Sequence, residues 1–175
     1  KYMVRFHYNG VPRKILVDDR LPVDRHGRLL SASSTLRGEL WVPILEKAYM
    51  KLRGGYDFSG GNSGIDLHAM TGWIPETQQV DLPTFDTERT WKRMLNGHKA
   101  GLCLITIGTP EMCEEDELRY GLVSNHAYAV LDVREVLGLR MLKLKNPWSH
   151  SRWRGAYSAE DTESWTSQLR EELKF

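Results

Sequence analysis

Alternation opens the chain. Tyr2, Val4, Phe6 and Tyr8 are spaced by two, Asn9-Gly10 is a strong two-residue turn signal, and VPRKILVDD returns, so a β-hairpin is expected within residues 1–24. Residues 24–38 are polar and turn-rich and read as a surface loop. The period then changes. Leu40, Ile44, Ala48 and Leu52 recur at four-residue steps across 39–53, which predicts a helix with one apolar face. Pro43 falls in its first turn, where proline is tolerated, and Gly54-Gly55 ends it. The glycine-rich SGGNSGIDLHAMTGW (59–73) lacks the Gly-Lys-Ser/Thr ending of a phosphate loop and predicts a turn leading into a short helix. Residues 76–90 read as a polar loop, 90–101 as a short helix ended by glycine, LCLITIG (102–108) as a buried strand, and 109–121 as an acidic loop. Ser158 and Asp161 stand at capping-box spacing, and a short helix is predicted around Thr166 to Leu173.

The most informative pattern lies between. From His126 the chain reads HAYAVLDV, a β-favouring run; after a loop holding Gly138 a second run goes from Arg140 to Asn146 and stops at Pro147. Two such runs predict an antiparallel hairpin. Side chains alternate faces, so His126, Tyr128, Val130 and Asp132 should share one face, as should Arg140, Leu142, Leu144 and Asn146. Direct pairing would set His126 beside Asn146, Tyr128 beside Leu144, Val130 beside Leu142 and Asp132 beside Arg140. The two inner pairs are apolar and the Asp132–Arg140 pair is oppositely charged, which cross-strand contacts favour. A bulge would break this register.

An imidazole beside an amide oxygen has a chemical use. The oxygen accepts the proton of one ring nitrogen and sets the tautomer and aim of the ring, so the other nitrogen can act as a base. That is the orienting half of a Cys-His-Asn constellation. Considered alone, the pair reads more often as a strand-end histidine satisfying a buried asparagine.

Further motifs change that balance. NHAYAV (125–130) and KNPWSH (145–150) resemble the GHAYSV and RNPWG segments of calpains, which are papain-like cysteine proteases. Asn125 and Ser149 replace glycines of that pattern. ELWVPILEKAYMKLRGGYDF (39–58) and VDDRLPV (17–23) are similar to further calpain blocks, and YDF with IDLHAMTGW points to the non-classical calpain-7 or PalB-like branch. The resemblance covers essentially the whole chain. It implies an α+β, papain-like fold, with residues 1–175 as the His/Asn-bearing subdomain of a calpain-type catalytic domain, an antiparallel β-sheet or barrel-like half with short helices. It further implies His126 as general base, Asn146 as its orienting partner, and Trp148 as the residue that shields their contact near the cleft. In calpains the glycine-rich segment borders the substrate cleft, so Gly60, Gly61 and Gly64 would let substrate backbone approach. Calcium is the cofactor that the resemblance raises, without a ligand set that carries over. The implied partners are protein or peptide substrates and the missing Cys-bearing subdomain.

The nucleophile is the gap. Cys103 lies in an apolar run, where free cysteine behaves as a small hydrophobe. Cys113 lies among acids, which oppose thiolate formation. Neither is expected to open a helix. The chain also begins at Lys1 inside a strand-like run, so a fragment of a longer protease, inactive alone, is expected. The competing reading is a non-catalytic interaction module that keeps a protease fold.

Composition adds bounds. The 175 residues suit one domain or subdomain. A net charge of +1 gives no reason to expect nucleic acid. No apolar run approaches the ~18 residues of a membrane span, so direct membrane insertion is not expected. Two cysteines make no disulfide framework, and a reducing cytoplasmic setting, extending to the nucleus, is the expectation. His7, His26, His68, His98 and His150 show no metal-ligand spacing, no CxxC is present, and the acids at 114–117 lack the alternation of an EF-hand, so no metal ligand is assigned.

Overall fold

The computed structural model describes residues 1–36, 38–57, 60–148 and 151–175. The chain forms two compact units, Lys1–Thr77 and Gln78–Phe175.

In the first unit, strands β1 (Tyr2–Tyr8) and β2 (Val11–Val17) pair antiparallel from Tyr2↔Val17 to Tyr8↔Val11. Asn9 and Gly10 both take positive φ (50° and 74°), as a type I′ turn requires. Helix α1 (Trp41–Arg53) ends at Gly54, whose φ of 106° lies in the left-handed region. Its buried side chains are Pro43, Ile44, Ala48 and Tyr49. The expected stripe is therefore rotated. Leu40 is the exposed N-cap and Leu52 is half-buried, because Tyr49 takes the inner face against Phe6, ring centroids 5.5 Å apart. Phe6, Val17, Ile44, Ala48, Tyr49 and Ala69 make this unit's core. Helix α2 (Ser63–Thr71) starts as the glycine-rich segment predicted, capped by Asn62, whose Oδ1 accepts from the Gly64 and Ile65 N–H groups at 3.0 and 3.2 Å.

The second unit holds a three-stranded antiparallel sheet in the order β3-β4-β5. Its strands are β3 (Thr106–Gly108), β4 (Ala127–Val136) and β5 (Leu139–Lys145). Helix α3 (Thr87–Lys99), capped by Asp86, covers one face through Trp91, which joins Val130 and Val133 in the core, with Ile105, Ile107 and Leu142 packed against them. Helices α4 (Glu114–Tyr120) and α5 (Ser167–Leu173) complete the unit.

Several expectations need correction. LCLITIG is not a buried strand. Only Thr106–Gly108 is in the ladder, and Leu102 and Leu104 are exposed (75% and 56%), because only alternate residues face α3. The acidic segment is not all loop. Four consecutive acids fill the first turn of α4, where they oppose the positive end of the helix dipole, and Gly121 in the left-handed region ends it. Ser158 and Asp161 do bond, Asp161 N–H to Ser158 Oγ at 3.1 Å, but no helix starts there. The Asp161 carboxylate instead accepts from the N–H groups of Tyr157, Glu163 and Ser164, which gather a loop and hold that carboxyl well below its ordinary range.

The β4–β5 register also differs. Val130 pairs with Leu144, not Leu142, and a bulge between Val130 and Asp132 shifts the ladder again, so that Arg140 faces Glu135 rather than Asp132. Val130 and Val133 stand three apart and both are buried, which strict alternation forbids. One extra residue, Leu131, resolves the conflict by turning outward, 49% exposed. Burying Val133 is worth about 1.5–3 kcal/mol. Asp132 fastens the bulge by accepting from the Val133 N–H at 2.9 Å, Arg134 Nε at 2.7 Å and His98 Nε2 at 3.2 Å. Burial pushes its carboxyl up, but Arg134 and the other donors outweigh that and leave it lowered.

Candidate active site

The candidate site residues of the second unit lie at the open end of the β4–β5 hairpin. Val130↔Leu144 and Ala129↔Lys145 are the last pairs, and continuing that register sets Asn146 opposite Tyr128. His126 lies two residues further along the same face. The asparagine thus reaches the histidine on a diagonal rather than straight across. A slip of two preserves the face, so the contact survives the wrong register. His126 Nε2 is 2.9 Å from Asn146 Oδ1.

The backbone assigns the proton. Trp148 N–H can only donate, and it lies 3.0 Å from Asn146 Oδ1. Ser151 C=O can only accept, and it lies 3.0 Å from Asn146 Nδ2. The amide is therefore oriented with its oxygen toward His126, and an oxygen acceptor requires the hydrogen on Nε2. Nδ1 keeps the lone pair in the neutral ring.

Aromatic rings bracket the imidazole. Trp148 lies 4.5 Å from it between centroids, tilted by 49°, and remains 56% exposed. Tyr128 meets it edge-on at 5.0 Å, while its hydroxyl accepts from the Val123 N–H at 2.9 Å. The residue before His126, Asn125, has φ 49°. Asparagine is among the few non-glycine residues that enter this region readily, so a glycine of the motif can be replaced here at little cost. Ser149, the other departure from the motif, and His150 lie outside the described residues.

His126, Asn146 and Trp148 are thus brought together. Gly60, Gly61 and Gly64 belong to the first unit, ahead of and within the first turn of α2, and each meets a local demand. Gly60 has φ 122°. A Cβ on Gly61 would strike the Asp66 carboxylate, and one on Gly64 would lie 3.1 Å from Pro75. Asp66 in turn accepts from Tyr49 Oη at 2.5 Å. Burial, then this carboxylate, pushes the Tyr49 phenol up to about 12. Cys103 is half-buried with its sulfur against α3 at Gly97. Cys113 is exposed and, against expectation, is the N-cap residue of α4, where its side chain makes no capping bond.

The calpain family cysteine protease profile matches residues 1–175. The chain belongs to the calpain family. It is 52% identical to Calpain-7 of Homo sapiens over 177 residues, covering 100% of this chain and 22% of that protein. It is 48% identical to the calpain-like protease palB/RIM13 of Aspergillus oryzae, covering 85% of this chain and 18% of that protein. Identity to the calpain-type cysteine protease DEK1 of Zea mays is 34%, over 98% of this chain and 8% of that one. The resemblance to the calpain-7 and PalB-like branch is borne out, as is the papain-like α+β fold. The chain spans about a fifth of the length of the first two of these curated relatives.

Among the described residues no three His, Cys, Asp or Glu side chains gather as a metal site. No helix among them is long and apolar enough to cross a membrane.

The sequence missed Thr109, Glu117 and Ser124. Thr109 bonds to the backbone of residue 126 on both sides. Ser124 N–H donates to the Glu117 carboxylate, and Ser124 Oγ accepts from Met112 N–H at 2.9 Å. Nothing in composition marks these residues. The one available signal was that a strand ending at Gly108 would bring residue 109 opposite 126.

Proposed function

We propose that this chain supplies the His/Asn part of a calpain-type cysteine endopeptidase acting on protein or peptide substrates. The observation that carries the reading is the His126–Asn146 bond, whose proton assignment leaves Nδ1 as the basic nitrogen. His126 is the general base, Asn146 orients it, and Trp148 covers their contact. The nucleophilic thiol comes from a Cys-bearing subdomain outside this chain. Nδ1 takes the thiol proton, and the thiolate attacks the peptide carbonyl. As the C–S bond forms and the C–N bond breaks, the imidazolium returns its proton to the leaving amine. Water activated by the same nitrogen then releases the acyl group as a carboxylic acid. Neither Cys103, set against α3, nor Cys113, exposed on α4, is given a part in these steps.

On this reading the isolated chain releases no fluorophore from a peptide substrate, whereas a protein that adds the Cys-bearing subdomain does. Turnover by the isolated chain that an alkylating agent abolishes would assign the thiol to Cys103 or Cys113. Failure of the longer protein to turn over would favour an interaction module.

Gly60, Gly61 and Gly64 are read as cleft residues. In the longer protein, Gly61→Val is expected to raise KM and lower kcat/KM about tenfold, roughly the effect of about 1.4 kcal/mol of lost binding. Asp66→Asn, which neutralises the carboxylate facing Gly61 without filling that space, separates the two roles. Equal losses in both variants would mean that Gly61 serves only α2.

A further inference from the structure

We infer that Thr109 is a positioning residue for the reaction, holding the backbone of His126 where the sheet ends. The inference rests on the reading of His126 as general base.

The β3–β4 ladder closes at Gly108↔Ala127, so residues 109 and 126 are the next pair in register. In a regular ladder each residue of such a pair would accept the other's N–H through its carbonyl. One half of that exchange is present, since Thr109 N–H donates to His126 C=O at 2.9 Å. The other half is made by a side chain. His126 N–H donates to Thr109 Oγ1 at 3.0 Å. The hydroxyl hydrogen is directed to Val123 C=O at 2.6 Å, with His126 C=O at 3.2 Å beside it. Beyond Thr109 the chain enters Pro110, whose C=O accepts from Asn125 N–H at 3.0 Å.

One side chain therefore ties both sides of the turn that delivers His126. It fixes Val123 before the left-handed Asn125, and it fixes residue 126 after it. Asn146 holds the far end of the imidazole at 2.9 Å. Two grips, one on the backbone and one on Nε2, leave the ring little freedom. Positional error of about 1 Å at a reacting group costs on the order of 10²-fold in rate. Thr109 touches no reacting atom, so its effect must pass through His126.

The test uses the protein that includes the Cys-bearing subdomain, with Thr109→Val, Thr109→Ser and His126→Ala compared on a fluorogenic peptide. Valine keeps the branched shape and removes the oxygen; serine keeps the oxygen and removes the methyl group. Thr109→Val is expected to lower kcat roughly ten- to a hundredfold with KM little changed, and Thr109→Ser to recover most of the loss. Nitrogen-15 shifts of the His126 ring should show the Nε2–H tautomer in the parent protein and in Thr109→Ser, and a mixture in Thr109→Val. Full kcat in Thr109→Val, with His126→Ala inactive, would overturn the proposal and leave the protease reading intact. So would a serine variant as slow as the valine one, or a valine variant that loses the parent's cooperative melting, which would make the clamp a folding element. Turnover by His126→Ala would instead remove the base assignment on which the proposal rests.

Discussion

Replacing His126 with alanine is expected, on the proposed function, to lower kcat/KM of the protein that includes the Cys-bearing subdomain by at least about 10⁴-fold, the scale on which loss of a catalytic base is felt in nucleophilic hydrolases. On the proposed mechanism the loss should fall on kcat, because Nδ1 would act in proton transfer and not in holding the ground state. Folding should be nearly unaffected. The ring is half-buried, Tyr128 keeps its own bond to Val123, and the backbone bonds of residue 126 to Thr109 do not depend on its side chain. Asn146 Oδ1 would lose one donor and keep the other, Trp148 N–H. Peptide turnover alongside the thermal midpoint checks both halves. An unchanged midpoint with turnover within tenfold of the parent would refute the assignment.

The second large effect is expected at Asn146. Its alanine variant should lose about 10²-fold in kcat, less than His126→Ala, because the base remains while its aim is lost. The structure adds a second loss. The Asn146 amide also accepts from Trp148 N–H and donates to Ser151 C=O, so it holds the backbone that carries the Trp148 indole. Asn146→Ala therefore frees the ring and its cover together. Asn146→Asp separates them. It keeps an oxygen toward His126 and Trp148, but sets a carboxylate oxygen against the Ser151 carbonyl where an N–H donor stood. Single-turnover acylation rates should rank parent, then aspartate, then alanine. Parity of the alanine variant with the parent would reduce Asn146 to a structural role.

How much of this was legible in advance is best seen at the two hairpins. In β1–β2, Asn9-Gly10 supplies a turn that needs positive φ at both positions, and the flanking alternation then fixes the pairing. Local chemistry suffices, and the structure agrees. In β4–β5 the turn is Leu137-Gly138, and the leucine also takes positive φ, 50°. Leucine carries no turn signal, so the register rested on side-chain pairing alone and differs by two residues at the open end and by three between the bulge and the turn. The bulge was invisible for a related reason. Alternation cannot show that Val130 and Val133 both bury until α3 lies over them with Trp91.

The acidic helix α4 was misread because a run of like charge looks solvated, whereas a helix N-terminus favours that charge. The exposure of Leu102 and Leu104 could not be read from an apolar run, whose buried side depends on what covers it.

The chain's own residues determined the family, the α+β composition, the first hairpin, α1, α2, α3 and α5, and the pairing of a histidine with an asparagine. These rest on short-range periodicity, turn chemistry and motifs read in order, and a two-residue register error cannot separate side chains that share a face. Tertiary structure alone decided the rest. It set the diagonal path from His126 to Asn146, the tautomer imposed by Trp148 N–H and Ser151 C=O, the bulge held by Asp132, and the hold of Thr109 on residue 126. Each of these is a hydrogen bond or packing choice between segments distant in the chain or at a strand's end, where the ladder no longer dictates partners and geometry must.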